Sequence, residues 1–287
     1  MNDAAAALFP PELLAAARLL PMEPESAGLA FSAGRHRSRR CGASVEFQDF
    51  RAYAPGDDLR RLDWNIYRRF RKFVVRQYRD LPRRKHWIVL DDSASIRCRK
   101  ARTDLVWRLT ALLGGTLLAN GDPITIRIGE NGRRTDLAPG NEAALIGELL
   151  RACNARTPGK ALTYRFPAGY HVWVVSDFMD PAGLDHLERL LRRARGFSPV
   201  RIYEEEERHP NLRTAVRLID VESNRETTAV PDAATLRRYR ERVDRFEKLL
   251  EVPALKCGAR GGAFDAAWSV PELIRAFART FAPGGSR

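Results

Sequence analysis

Residues 88–96 read Ile-Val-Leu-Asp-Asp-Ser-Ala-Ser-Ile, an apolar run that stops at two carboxylates and then offers two hydroxyls. Asp91, Ser93 and Ser95 stand on alternate positions. A second apolar run, Val-Trp-Val-Val-Ser-Asp-Phe at 172–178, reaches Asp177 in the same way. The donor atoms on offer are all oxygens. Hard divalent cations favour such a set, and Mg2+ takes one or two carboxylates while keeping several waters. Each residue also has a plainer use, Asp92 and Ser93 as helix caps and Asp177 as the first residue of a loop. Acid–base and nucleophilic chemistry have less support, because the five histidines are scattered and no Ser-His or Cys-His pairing stands out. No Gly-rich loop ending in Lys-Ser/Thr is present to cradle phosphates.

Strands must deliver these carboxylates, and the pattern after residue 86 supplies them. His-Trp-Ile-Val-Leu at 86–90 is continuously apolar, as expected of a strand buried on both faces. Leu105, Leu109, Leu112, Leu113 and Leu117 follow at helical spacing, and Gly121 marks the helix end. Residues 122–129 read as a second strand and 132–139 as a possible third, with Asn131-Gly132 a hairpin signal between them. Asn141 caps a helix over 141–154. A strand over 170–178, a helix over 181–196 and a strand over 198–206 come next. A hairpin is inserted near 214–231, followed by a helix over 232–250, a strand near 261–267 and a last helix over 271–281. This order predicts an α/β domain, doubly wound on a mainly parallel sheet. In such sheets ligands collect at the carboxyl ends of the strands, beside the switch in strand order.

The domain reading has three parts: 1–30, an N-terminal helix and linker; 31–85, a basic β-rich segment; and 86–287, the α/β domain with its hairpin. The net charge is +13, and residues 31–86 alone carry 16 Lys or Arg against 6 Asp or Glu. Phe47, Phe50, Tyr53, Trp64, Tyr67, Phe70, Phe73 and Tyr78 interleave with these charges. Residues 44–53 and 72–80 alternate like strands, 54–58 is turn chemistry, and 59–70 has room for a helical turn or two. Such a patch could attract nucleic acid, anionic lipid or an acidic protein, or be a solvated surface with locally paired arginines. Within it, Asp57, Asp58 and Asp63 near Arg51, Arg60 and Arg61 read best as a buried salt-bridge network with Trp64 in the core. A second acidic site is the less favoured reading.

The 287 residues, 44% hydrophobic and 30% charged, describe a soluble globular protein. No apolar run approaches the roughly 18 residues of a spanning helix. The N-terminus has no basic segment ahead of its apolar residues, and Arg18 interrupts them, against a signal peptide or anchor. Cys41, Cys98, Cys153 and Cys257 lie far apart, as reduced thiols would, so a cytoplasmic protein is expected.

Asp91-Asp92-Ser93-Ala94-Ser95 resembles the Asp-x-Ser-x-Ser signature of the metal-ion-dependent adhesion site (MIDAS) in von Willebrand factor type A domains. Asp177 falls where those domains carry their later aspartate. Upstream, Glu46-Phe47, Arg51, Tyr53, Pro55-Gly56-Asp57-Asp58, Arg60 and Asp63-Trp64 resemble the segment that precedes this domain in the bacterial "domain of unknown function 58" (DUF58) proteins. The similarity runs from about residue 30 to the end. It implies a type A-like domain that binds Mg2+ or another divalent cation and uses it for protein contacts. Asp91, Ser93 and Ser95 would form the ligand loop and Asp177 would act through water. Type A sites also use a threonine, often in Gly-Thr-Asp. Thr157 is the better candidate and Thr163 the second, in a Pro- and Gly-rich stretch without those neighbours. The resemblance further implies a MoxR-type AAA+ ATPase as partner, in a chaperone-like or complex-maturation system whose client proteins the sequence does not name. The leading expectation is therefore a non-enzymatic, cation-dependent interaction module with no membrane span. Two alternatives stand behind it. One is nucleic-acid or anionic-surface binding through 31–86, for which nucleic acid lacks any recognised reading motif. The other is Mg-dependent phosphotransfer or hydrolysis at Asp91 and Asp177, against which Ser93 stands where phosphoaspartate hydrolases place Asp.

Overall fold

The computed structural model describes residues 7–22, 45–58, 62–80, 84–129, 134–154, 168–179, 194, 196–210, 212, 214–221, 223–256 and 259–282. The expected linker at 21–28 lies mostly outside these residues, and the expected helix at 181–196 almost entirely so. The chain divides into two compact units, one of residues 1–30 with 84–287 and the other of residues 31–83.

In chain order the elements are α1 (Pro11–Leu19), β1 (Val45–Ala52), α2 (Trp64–Phe70), β2 (Val74–Asp80), β3 (His86–Leu90), α3 (Ala94–Arg97), α4 (Lys100–Ala119), β4 (Ile124–Gly129) and β5 (Arg134–Leu137). There follow α5 (Glu142–Asn154), β6 (His171–Ser176), β7 (Gly196–Tyr203), α6 (Glu205–Arg208), β8 (Val216–Ile219), β9 (Glu226–Ala229), α7 (Ala233–Lys256), β10 (Gly262–Asp265) and α8 (Val270–Phe281).

The main sheet of the larger unit has the order β10-β7-β6-β3-β4-β5. All its pairings are parallel except that of β5, which runs antiparallel to β4 at the edge. The chain therefore leaves β3 towards β4 and β5, then returns to the other side of β3 with β6, β7 and β10. This is the doubly wound order, and its switch point lies between β3 and β6.

Every residue of β3 and β6 is buried, because both faces of the sheet are covered. Alternate side chains serve the two layers. Ile88 and Leu90 join a core with α1, α4, α5 and α8, whereas Trp87 and Val89 join a second core with Leu250 and Ala254 of α7. The inner face of α4 carries Leu105, Leu109, Leu112, Leu113 and Leu117, all buried at the spacing of one helical stripe. Its buried Thr110 and Thr116 return their hydroxyls to Val106 O and Leu112 O, so neither polar group is stranded. Asn141 caps α5 by accepting from Ala144 N at 2.8 Å.

Strands β8 and β9 form a separate two-stranded hairpin, Val216 opposite Ala229 and Ile219 opposite Glu226. In the smaller unit β1 and β2 pair antiparallel, with an irregularity between Phe47 and Asp49.

Candidate functional site

Asp91 and Asp177 are the first residues beyond β3 and β6, so parallel pairing brings them to the same edge of the sheet at the switch point. The backbone fastens them there, since Asp91 N donates to Val175 O at 2.9 Å. Both side chains are buried. Asp91 Oδ1 accepts from Ser93 N at 3.0 Å, and its Oδ2 accepts from Ser176 Oγ at 2.5 Å. Ser176 Oγ in turn accepts from Phe178 N at 2.8 Å. Phe178 holds a left-handed backbone, φ 59°, which a bulky residue adopts only when its surroundings impose it. The buried ring and the bond from its N–H impose it here.

Ser93 and Ser95 bring their hydroxyls to 2.9 Å of each other. Ser93 occupies the N-cap position of α3 yet makes no side-chain capping bond. The plain reading of Ser93 as a cap is thus not what the hydroxyl does. Asp92 is turned to a different task, with both oxygens engaged by Arg97, whose Nε lies 2.6 Å from Oδ1.

Asp177 Oδ1 accepts from Met179 N at 3.0 Å, while its buried Oδ2 has no hydrogen-bond donor among the described residues. Among the described residues, Arg102 Nη1 comes within 3.9 Å of that oxygen. Arg102 is mostly spent elsewhere: Nε donates to Glu204 Oε1 at 3.0 Å, Nη1 to Ser95 O at 3.3 Å, and Nη2 to Glu207. Glu204 also receives Arg99 Nη1 at 2.5 Å. Asp177 is therefore faced by a distant guanidinium that is divided among other partners. Burial above all, and then the charge of Asp177, push the Asp91 carboxyl up to about 6 against the pull of its bonds from Ser176 and Ser93.

An oxygen set with excess buried negative charge and one orphaned carboxylate oxygen fits a hard divalent cation. The set is two carboxylates and two serine hydroxyls. Among the described residues there is no cluster of three or more His, Cys, Asp or Glu arranged for a metal. Thr157 and Thr163 lie outside the described residues.

Reasoning from sequence missed Ser176, Arg102 and Glu204. Ser176 adjoins Asp177, and Glu204 closes β7 as the aspartates close their strands, so both carried a signal. Arg102 carried none, because a cation on the first turn of an apolar helix reads as solvent-facing.

The upstream segment also has definite local roles. Arg51 Nη2 donates to Asp57 Oδ1 at 2.6 Å, and Ala54 N donates to Asp57 Oδ2 at 2.9 Å. Those bonds, the backbone one first, hold the Asp57 carboxyl below its ordinary range. Gly56 takes φ 105°, a conformation that side chains disfavour, where the turn reverses. Tyr53 N donates to Phe73 O at 3.0 Å beside this turn, and Asp58 is exposed. Asp63 caps α2 by accepting from Asn65 N at 2.9 Å and Ile66 N at 3.1 Å. Two expectations need correcting. The Arg51–Asp57 pair is not buried, since the Arg51 side chain is 45% exposed. Trp64 is 62% exposed rather than in the core, starting α2 with its ring edge-on to Tyr67 at 6.1 Å. Arg60 and the Glu46 side chain lie outside the described residues.

A doubly wound, mainly parallel sheet with one antiparallel edge strand, carrying Asp-x-Ser-x-Ser after its central strand, defines a von Willebrand factor type A-like domain. The family described as "Protein of unknown function DUF58" matches residues 49–248, and the chain belongs to it. Among curated relatives, "Uncharacterized protein Mb1516" of Mycobacterium bovis and "Uncharacterized protein Rv1480" of Mycobacterium tuberculosis are each 30% identical over 193 residues. The match covers 60% of this chain and 59% of theirs, so the chain spans about three-fifths of these relatives. Among solved structures, a conserved hypothetical protein BatB from Bacteroides thetaiotaomicron is 10% identical with a TM-score of 0.39, over 68% of this chain and 96% of that one. An aerotolerance-related membrane protein from Bacteroides fragilis is 11% identical with a TM-score of 0.33, over 69% and 98%. Among the described residues of the present chain, no helix is long and apolar enough to cross a membrane.

Proposed function

We propose that the chain is a non-enzymatic protein-interaction module whose contact point is a divalent cation, Mg2+ by preference, at the switch point of the sheet. The observation that carries this reading is the buried Oδ2 of Asp177, without a donor among the described residues, beside a buried Asp91 whose carboxyl resists ionisation. Asp91, Ser93 and Ser95 would hold the ion, with Asp177 acting through water and Thr157 as the candidate remaining ligand. The ion would supply a hard, positively charged centre that a carboxylate of a partner can complete. The chain's own part is to keep the ligand oxygens fixed, through Ser176 and the main-chain N–H groups of Ser93 and Met179. The family resemblance supports a MoxR-type AAA+ ATPase as partner, acting with the module on client proteins in the cytoplasm.

Hydrolysis or phosphotransfer is the weaker reading. Asp92, the carboxylate next in sequence to Asp91, is held by Arg97. The buried histidines His86 and His171 begin β3 and β6, so they lie at the opposite edge of the sheet. Five residues of β3 and six of β6, at about 3.3 Å each, place them roughly 16 and 20 Å from Asp91 and Asp177.

Mg2+ titration against thermal unfolding, with a pull-down of the ATPase, tests the proposal. The wild-type melting temperature should rise with Mg2+, by the equivalent of about 2.7 kcal/mol at a hundred times Kd. The ATPase should be retained with Mg2+ and lost with chelator or Asp91→Ala. A melting temperature indifferent to Mg2+, with the ATPase bound regardless, would remove the ion from the mechanism.

A further inference from the structure

The smaller unit carries a face that the cation site does not use. Trp64 and Phe70, at the two ends of α2, are 62% and 67% exposed, and Phe73 just beyond is 49% exposed. Behind them Tyr67 stacks on Phe73 with ring centres 4.4 Å apart and planes 20° apart, and Tyr53 closes on Phe73 at 6.3 Å. Arg68, Arg69, Arg71 and Lys72 are exposed between and beside these rings. Arg71 ends the helix in a left-handed conformation, φ 55°, which turns the chain so that Lys72 and Phe73 follow at the same end.

The charge here is one-sided. From Trp64 to Arg79 the sequence has no Asp or Glu. On the N-terminal side Asp63 is committed to the α2 N–H groups and Asp57 to Arg51 and Ala54 N, while Asp58 is exposed beyond the turn. A cationic surface with apolar rings as its most exposed members is complementary to an anionic lipid headgroup layer over an acyl boundary. There the cations meet phosphate and carboxylate groups while Trp and Phe settle at the interface.

We propose that the face formed by α2 and the turn into β2, centred on Trp64, Phe70 and Phe73 with Arg68, Arg69, Arg71 and Lys72, docks peripherally on an anionic membrane surface. Single-stranded nucleic acid shares the charge requirement but needs open ring faces on which bases stack. Tyr67 and Phe73 already spend faces on each other, and Phe70 stands apart from that stack. Lipid is the occupant that uses an exposed, unstacked Phe between two arginines.

Sedimentation of the full chain with phosphatidylcholine vesicles, with and without phosphatidylserine, tests this. Binding should require phosphatidylserine, weaken with salt and blue-shift the emission of Trp64. Replacing Arg68, Arg69, Arg71 and Lys72 together by Gln should weaken it by at least about tenfold, since each cation near the surface adds to affinity. Trp64→Ser with Phe70→Ser should weaken it similarly, and all these side chains are exposed, so melting temperatures should hold. Asp91→Ala should bind vesicles as wild type does, which separates failure here from failure of the cation site. Equal binding by the variants, or no sedimentation with phosphatidylserine vesicles, would overturn the proposal. So would binding of oligothymidine, lost in the Trp64/Phe70 variant, by a chain that ignores the vesicles.

Discussion

At the scale of single residues, the site holds two buried carboxylates whose mutual repulsion raises the cost of ionising Asp91. The Asp91 carboxyl sits at about 6, raised from an ordinary 3.8 by burial and by Asp177. A raised carboxyl pKa means that the folded chain holds its proton where the unfolded chain has released it. In the ion-free protein, stability should therefore fall as pH rises from about 4 through about 6, and level off above. The total loss should reach up to about 3 kcal/mol, because each tenfold change in proton affinity is worth roughly 1.4 kcal/mol. Asp91→Asn removes the charge but can still accept from Ser93 N and donate to Ser176 Oγ. It should raise the ion-free melting temperature at pH 7.5, flatten the pH 4–6 slope and abolish the response to Mg2+. A variant that unfolds earlier than wild type at pH 7.5 would show that the carboxylate is stabilised without an ion. Because an ion must displace the Asp91 proton, Mg2+ affinity should also climb with pH up to about 6.

At the scale of elements, packing distance decides what the local pattern cannot. Gly115 lies in α4, where an ideal Cβ would stand 2.9 Å from the Ala17 Cβ of α1. Alanine in a helix interior is ordinarily worth about 1 kcal/mol over glycine. Here the contact opposes that gain, because both atoms belong to short side chains that cannot swing aside. Gly115→Ala should lower the urea midpoint in the wild type and raise it in an Ala17→Gly background, where the space is open. The same sign in both backgrounds would show that the two helices separate freely. Strands β3 and β6, the stripe of α4 and the aspartates at the strand ends were legible in the sequence, because continuous apolar runs and helical spacing are local signals. The destination of Arg102 was not. Its partners Glu204 and Glu207 are more than a hundred residues away, joined to it only through the parallel order β6-β7. Trp64 was misplaced for a related reason, since an aromatic beside Asp63 reads as core until the capped helix turns it outward.

At the scale of the whole molecule, the N-terminal helix is the part whose role the sequence concealed most. The sequence predicts only an N-terminal helix and linker over 1–30, and the structure places α1 in the larger unit. Phe9, Leu13 and Ala17 are almost wholly buried and share a core with Leu109, Leu112 and Leu113 of α4. Arg108 fastens the approach by donating from Nε to Leu8 O at 3.1 Å, and Arg18 pairs with Glu142 of α5 at 2.7 Å. The surface pair adds little on its own, because Arg18 is exposed to screening solvent. Burial of Phe9 and Leu13 should dominate, at roughly 1.5–3 kcal/mol for each side chain. Removing residues 1–22 would also uncover the apolar side of α4, at a cost that adds to theirs. The truncated chain should lose on the order of 5 kcal/mol in urea unfolding, bind a hydrophobic dye and respond to Mg2+ only while it remains folded. Phe9→Ala alone should lose about 3–5 kcal/mol, the usual cost of a large-to-small change in a packed core. An unchanged urea midpoint after truncation would mean that α4 finds other cover, and that α1 does not belong to the core.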